Sequence, residues 1–403
     1  MLWQPRLPDS YLKASPEELG ERITARRREL GDRLLILGHH YQTDEVIRHA
    51  DITGDSLRLS QMAADRCRDG RVRWVVFCGV HFMAETADML TPDEVKVILP
   101  DLSAGCSMAD MAHHDDAVEA WDRLHEALVE RGWSGRIVPI TYVNSSAAVK
   151  AFVGERGGAC CTSSNADAVF AWALSRGDKV LFLPDQHLGR NTAAARGIDV
   201  ARHACVYDPR LARRGEPLGG ITPAQLLDAR VILWAGHCSV HRLFRPEHCE
   251  QIRADDAEHP ERPRTSILVH PECCKEVVDR ADLSGSTEFI IRTIRAAAPG
   301  SRWAVGTEHH LVARLAREAA ARGVFVRILS DCQCLCTTMY RIDQPHLCWV
   351  LDHLAGAFSR DGSPKEVNVI RVHPQVRRLA LSALDRMLHL TSASPRSSPA
   401  LVD

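Results

Sequence analysis

The 403-residue chain reads as an α/β protein, and three observations predict it. Short apolar runs alternate with longer amphipathic stretches from residue 17 to residue 388, the pattern of parallel sheets covered by helices. The runs RLLIL, RWVVF, VKVIL, KVLFL, RVILW and TSILV are continuously apolar, as strands buried on both faces are. The alternation also repeats three times. Stretches 34–42, 137–146 and 266–274 each read strand, then polar residues. Each leads to a small-residue turn opening a helix, at 53–60, 161–169 and 284–291. A further strand then ends at His81, His187 or His309, and each copy closes at a cysteine, Cys106, Cys238 or Cys336. Three Rossmann-like, three-layer α/β/α domains related by pseudo-threefold symmetry around a central active site are therefore expected.

The elements follow in order. Residues 1–128 hold the N-terminal helices and the first repeat, with helices expected over 17–30 and 115–131. Residues 129–262 hold the second repeat, with a polar, Pro/Gly-containing insertion near 197–227 that reads as a surface loop. DDAEHPERPR, residues 255–264, reads as the linker to the third repeat over 263–388, whose helix is expected at 308–322. The Ser/Pro-rich end, 389–403, reads as a disordered tail.

Composition excludes several function classes. Lys and Arg number 50 against 52 for Asp and Glu, so no basic excess draws nucleic acid or anionic lipid. The start, MLWQPRLPDS, lacks the apolar core of a secretory signal, and no apolar run approaches a membrane span, which makes a cytoplasmic enzyme the expectation. Fourteen cysteines, often adjacent as at Cys160–Cys161 and Cys273–Cys274, then point to reduced thiols or metal binding.

The three repeat-closing cysteines stand 132 and 98 residues apart, so no local motif marks them. A single such cysteine is more often a small buried apolar residue. Their shared place after the last strand of each copy is what suggests a joint role. Three thiolates suit an iron–sulfur cluster with one iron open for Lewis-acid chemistry, and zinc with three cysteines and a water is the alternative. Cys332, Cys334 and Cys336 form C-x-C-x-C, which leaves the third ligand open on repeat logic. An aldolase-like or binding protein would show a Schiff-base lysine or a phosphate loop. Lys150 and Lys275 fall on expected helices, and no GxxxxGK occurs.

From about residue 34 to 354 the chain resembles the quinolinate synthase family. The residues carrying the resemblance include GHHYQ (38–42), PDLSAGCSMADM (100–111), TYVNSSAAVKA (141–151), CTSSNA (161–166) and LPDQHLGRNTA (183–193). GHCSVHRLF (236–244), VHPECCKEVVDRADLSGST (269–287), VGTEHHL (305–311) and CTTMYRI (336–342) continue it. The resemblance implies three α/β domains around a [4Fe-4S] cluster. It implies condensation of iminoaspartate with dihydroxyacetone phosphate to quinolinate, with loss of phosphate and water, for NAD biosynthesis. An L-aspartate oxidase or aspartate dehydrogenase would supply the iminoaspartate. Carried over by motif, the cluster ligands are Cys106, Cys238 and, because of the following Thr-Thr-Met339, Cys336. Cys334 and Cys336 stand too close for a comfortable disulfide, so no redox switch is expected there.

Beside that match the remaining residues make chemical sense. His39, Tyr41, Tyr142, His270 and Glu272 follow equivalent strands, and a Tyr, His and Glu set supplies acid and base roles. Asn144 stands with Tyr142. Ser56, Ser163, Ser286 and Thr287 sit at turns into helices, where hydroxyls and free N–H groups receive carboxylate or phosphate, although each alone is most often a helix cap. His241, three residues after Cys238, is substrate-facing by resemblance. His81, His187 and His309 are weaker candidates that also suit core positions.

Overall fold

A computed structural model describes residues 4–331 and 334–393. Three sheets form, each parallel but for one short strand. The first contains β1 (Leu34–His39), β2 (Ile52–Gly54), β3 (Trp74–Cys78) and β4 (Lys96–Ile98). The second contains β5 (Ile137–Tyr142), β6 (Ala159–Cys161), β7 (Lys179–Leu183), β8 (Ala204–Tyr207) and β9 (Val231–Trp234). The third contains β10 (Thr265–Val269), β11 (Leu283–Ser284), β12 (Arg302–Gly306) and β13 (Phe325–Ile328). A last strand, β14 (Val369–Ile370), joins the edge of the first sheet antiparallel to β4. The sheet orders are β14-β4-β3-β1-β2, β6-β5-β7-β9-β8 and β11-β10-β12-β13.

The orders carry the threefold repeat. In every sheet the first strand of the copy is central, the short second strand lies on one side, and the third strand lies on the other. The register matches too: Leu34 pairs Trp74, Ile137 pairs Lys179, and Thr265 pairs Arg302. β1 and β5 are buried at every position, which accounts for their unbroken apolar runs.

The chain forms two compact units. One comprises 1–110 and 238–373 and so holds the first and third sheets; the other comprises 111–237 and 374–403 and holds the second. Within the first unit the repeat extends to the helix preceding each sheet. The helix Pro16–Leu30, capped by Ser15, sends Arg27 to Asp51, and Asp51 accepts the Ile36 N–H at 2.7 Å. The helix Pro246–Glu258 sends Arg253 to Asp282 at 2.6 Å, and Asp282 accepts the Ile267 N–H at 2.6 Å. Gly38 has a packing reason: a Cβ there would lie 2.9 Å from both Ala50 Cβ and Ile47 Cδ1, so only glycine lets the following turn close over β1.

Several expectations are corrected. The 197–227 segment is not merely a loop, because it contributes β8 to the sheet edge beside β9. Its alternation of buried Cys205 and Tyr207 with partly exposed neighbours is that of an edge strand, hidden in the sequence by the Gly and Pro around it. The supposed linker begins inside a helix that runs to Glu258, and Asp256 turns back to accept the Thr265 N–H and hydroxyl. Residues 389–393 continue the helix Pro374–Ala393, which packs on the helix Ala147–Glu155 of its own unit; the rest of the expected tail lies outside the described residues. The other helices run His114–Val129 and His309–Ala320, close to expectation. Among the described residues no helix is long and apolar enough to cross a membrane.

Candidate active site

All three repeat-closing cysteines lie in the same compact unit, in loops beyond the carboxyl ends of the first and third sheets or at the start of the chain's return to it. Cys106 and Cys336 pack against one apolar core, and Cys238 and Cys336 against another. The residues after Cys106 and Cys238 touch, Ser107 Oγ to Ser239 Oγ at 3.3 Å. Burial pushes the Cys106 thiol up to about 12, and Cys336 adds to the rise. Burial, then the Glu272 carboxylate, and more weakly the other two cysteines drive Cys238 well above its usual value. Three thiols so placed ionise together only around strong positive charge, and three thiolates are the soft donor set that iron–sulfur clusters and zinc select. Cys332 lies outside the described residues. Cys334 is fully buried in an apolar cluster, its carbonyl accepting the His309 N–H at 3.0 Å.

Beside Cys238 runs a chain of side chains. Glu272 Oε2 lies 2.8 Å from His241 Nδ1, His241 Nε2 lies 3.1 Å from Thr307 Oγ1, and Thr307 Oγ1 lies 3.1 Å from the Tyr41 hydroxyl. Tyr41 also meets Thr287 Oγ1 at 3.3 Å. A carboxylate only accepts, so His241 carries a proton on Nδ1, and as the neutral ring it accepts at Nε2. Thr307 then donates to His241 and accepts from Tyr41, and one direction of donation runs from Tyr41 to Glu272. Burial foremost, and then the Glu272 charge, pushes the Tyr41 phenol above its usual value, which keeps it a proton donor. The ligand atoms of Cys238, His241 and Glu272 all lie within 4.8 Å of one another, so this chain ends against one of the three thiols.

Two histidines brace the chain by the same local motif. His39 Nδ1 accepts the Tyr41 N–H at 3.2 Å, and His270 Nδ1 accepts the Glu272 N–H at 3.3 Å. Each ring is therefore neutral with its proton on Nε2. Burial, with a smaller contribution from the neighbouring histidine in each case, holds both down at about 3. His270 also stacks on His241 with ring centroids 4.4 Å apart. This geometry makes them hydrogen-bond donors at neutral pH rather than proton shuttles.

The turn residues divide. Ser286 caps the helix Thr287–Ala296 through the Phe289 N–H, while Thr287 is free of capping and spends its hydroxyl on Tyr41. At Ser56 the cap is Asp55, accepting the Arg58 N–H at 2.9 Å, so Ser56 takes the first helical position and its hydroxyl is not the cap. Tyr142, Asn144 and Ser163 belong to the second unit. Tyr142 ends β5, with its carbonyl accepting the Ser145 hydroxyl at 2.8 Å, and Ser163 opens the turn that Asn165 closes onto the Thr162 N–H. The sequence reading missed Thr307, although it lies in the quoted VGTEHHL stretch. Its signal was position: it directly follows β12, at the carboxyl end of a central strand, where ligand-facing residues gather.

Comparison with known proteins gives the family. The quinolinate synthetase A protein family model matches residues 21–389. The chain is 49% identical over 383 residues to a quinolinate synthase of Acidobacterium capsulatum, covering 95% of each. It is 50% identical over 383 residues to that of Herpetosiphon aurantiacus, again covering 95% of each. It is 49% identical over 384 residues to that of Streptomyces coelicolor, covering 95% of this chain and 91% of that one. With a family model spanning most of its length and relatives half identical from end to end, the chain belongs to the quinolinate synthase family, enzymes that use a [4Fe-4S] cluster in NAD biosynthesis.

Proposed function

We propose that the protein condenses iminoaspartate with dihydroxyacetone phosphate to quinolinate, losing phosphate and water, with a [4Fe-4S] cluster on Cys106, Cys238 and Cys336. The observation that carries this reading is the Tyr41–Thr307–His241–Glu272 chain ending within 4.8 Å of a cysteine whose thiol only a positive group would ionise. When bound, the cluster supplies an open iron position that polarises a substrate oxygen or nitrogen. Glu272, held by His241, removes a proton beside the carbonyl or imine, and Tyr41 donates a proton to a departing hydroxyl. Thr307 and His241 hold the two ends in register, and Glu272 gives up its proton and Tyr41 regains one by exchange with water once product leaves, which returns both to their starting state. His39 and His270 present their Nε2–H groups to substrate oxygens. The hydroxyls of Ser56 and Ser286 and the N–H groups that open the helix at Thr287 offer donors to carboxylates. Tyr142, Asn144 and Ser163 bind substrate in this reading on the strength of sequence likeness. A cytoplasmic location, with an L-aspartate oxidase or aspartate dehydrogenase supplying iminoaspartate, follows from the same likeness.

The test is anaerobic purification with iron and sulfide analysis. The reading expects brown protein near a [4Fe-4S] complement with one oxygen-labile iron, and quinolinate formed from the two substrates. Alanine at Cys106, Cys238 or Cys336 abolishes both, while Cys348→Ala and Cys334→Ala keep the cluster. Colourless protein with stoichiometric zinc defeats it.

A further inference from the structure

Two of the three cysteine loops are joined by a polar bolt that the reaction chemistry does not use. Asp101 lies five residues before Cys106 and Arg341 five after Cys336. Asp101 is 1% exposed. Its Oδ1 accepts the Ser103 N–H at 2.8 Å and the Ser103 hydroxyl. Arg341 Nε reaches Asp101 Oδ2 at 3.0 Å and Ser103 Oγ at 2.8 Å. His346, on the helix Gln344–Leu354, stands 4.0 Å from the same Asp101 oxygen. Each loop is also tied to its own cysteine: the Asp110 N–H meets the Cys106 carbonyl and the Tyr340 N–H the Cys336 carbonyl, both at 2.9 Å. Gln42, next to Tyr41, donates to the Met339 carbonyl at 3.2 Å and so holds the Cys336 turn from a second side.

We infer that Asp101 and Arg341 are positioning residues that fix the separation of Cys106 and Cys336, and thereby set how firmly the cluster is retained. The inference rests on the assignment of Cys106 and Cys336 as ligands. Its physical basis is a rigid link between two ligand loops: a buried carboxylate saturated by a backbone N–H, a hydroxyl and a guanidinium has one low-energy arrangement, and both loops must adopt it together. Without the guanidinium, Asp101 is left with an uncompensated buried charge, and its loop relaxes toward water. Partners behind metal ligands typically change metal retention by about tenfold to a hundredfold.

The experiment compares whole protein, reconstituted anaerobically, as wild type, Arg341→Gln, Arg341→Lys, Ser103→Ala and Arg371→Gln. Arg371 supplies the control, since it pairs with Asp88, itself 2% exposed, at 3.0 Å, and neither flanks one of the three cysteines. The readouts are iron and sulfide per chain and the first-order rate at which a chelator bleaches the visible absorption. Arg341→Gln is expected to lose its cluster at least tenfold faster than wild type. Arg341→Lys should fall between them because the charge remains without the planar Nε–H that meets both Asp101 and Ser103. Ser103→Ala, which removes one arm and keeps the ion pair, should show a smaller increase. Arg371→Gln should bleach like wild type. Equal rates in wild type and Arg341→Gln overturn the inference, as does equal acceleration in Arg341→Gln and Arg371→Gln, which would mark general destabilisation. Wild-type protein that takes up no iron overturns the cysteine assignment, and this inference with it.

Discussion

Replacing Glu272 with glutamine is the sharpest perturbation of the proton chain, because it changes chemistry while nearly preserving shape. Glu272 is 3% exposed and His241 1%, so neither has water to substitute for the lost group. The amide oxygen of glutamine still accepts from His241 Nδ1, so the ring keeps its place. What vanishes is a site that takes a proton. A general base contributes about a hundredfold to ten-thousandfold in rate, which at about 1.4 kcal/mol per tenfold is roughly 3 to 5 kcal/mol of barrier. Steady-state quinolinate formation by anaerobically reconstituted Glu272→Gln should therefore fall by at least two orders of magnitude in kcat, with iron content unchanged. A variant with full iron and turnover within threefold of wild type refutes the role. A raised KM with intact kcat would reassign Glu272 to substrate positioning.

Thr307→Val is nearly isosteric and cuts the chain between Tyr41 and His241. If Thr307 holds Tyr41 and His241 in register, kcat should drop by about tenfold or more with the cluster retained, whereas independent roles for the two ends leave kcat unchanged. Tyr41→Phe removes the terminal donor, and it should cost about a hundredfold in kcat without loss of iron. Stability should also depend on pH through His39 and His270, each held down to about 3 in the fold against about 6.5 unfolded. Both stay neutral when folded, so the unfolded chain binds more protons below pH 6.5. Stability is fully present above about pH 7 and falls as pH drops from 6.5 to 5, by up to about 1.4 kcal/mol per pH unit for each histidine. Denaturant midpoints across that range test this, and His39→Asn should shallow the slope.

Much of the fold was legible because the strands are buried on both faces and so announce themselves as apolar runs. The threefold repetition was legible too, since 34–42, 137–146 and 266–274 proved to hold central strands with equivalent neighbours. β8 was illegible because an edge strand needs only alternate burial, and Cys205 and Tyr207 sit among glycine and proline that read as loop. The arginine–aspartate ties from Arg27 and Arg253 were equally hidden, because ion pairs between distant segments leave no period in a sequence. Tyr41, His241, His270 and Glu272, which the structure brings together, were named from motif and position. The tautomers were not legible, because a tautomer depends on what each nitrogen faces: only the bonds from the Tyr41 and Glu272 N–H groups make His39 and His270 neutral donors. Thr307 was missed because a lone threonine after a strand is ordinary until its two partners are known.

The repeat also explains why the chemistry is asymmetric. Strand register makes Gly38 and Val269 equivalent through their partners Cys78 and Gly306, so His39 matches His270 and Tyr41 matches Glu272. One backbone device, a histidine Nδ1 accepting the N–H two residues on, thus holds a phenol in one copy and a carboxylate in the other. The hydrogen-bonded link between them needs a hydroxyl, and the same register makes Thr307 the counterpart of Gly79. A Cβ at Gly79 would lie 2.8 Å from Phe77 Cε1 and 2.9 Å from Met83 Sδ, so the first copy has no room for threonine there. Tyr41 must therefore reach across to the third repeat for its acceptor, as the 3.1 Å contact to Thr307 records. Equivalent loops thus supply matching positions, and the packing beneath each decides which of them can carry an acid, a base or the hydroxyl that joins them.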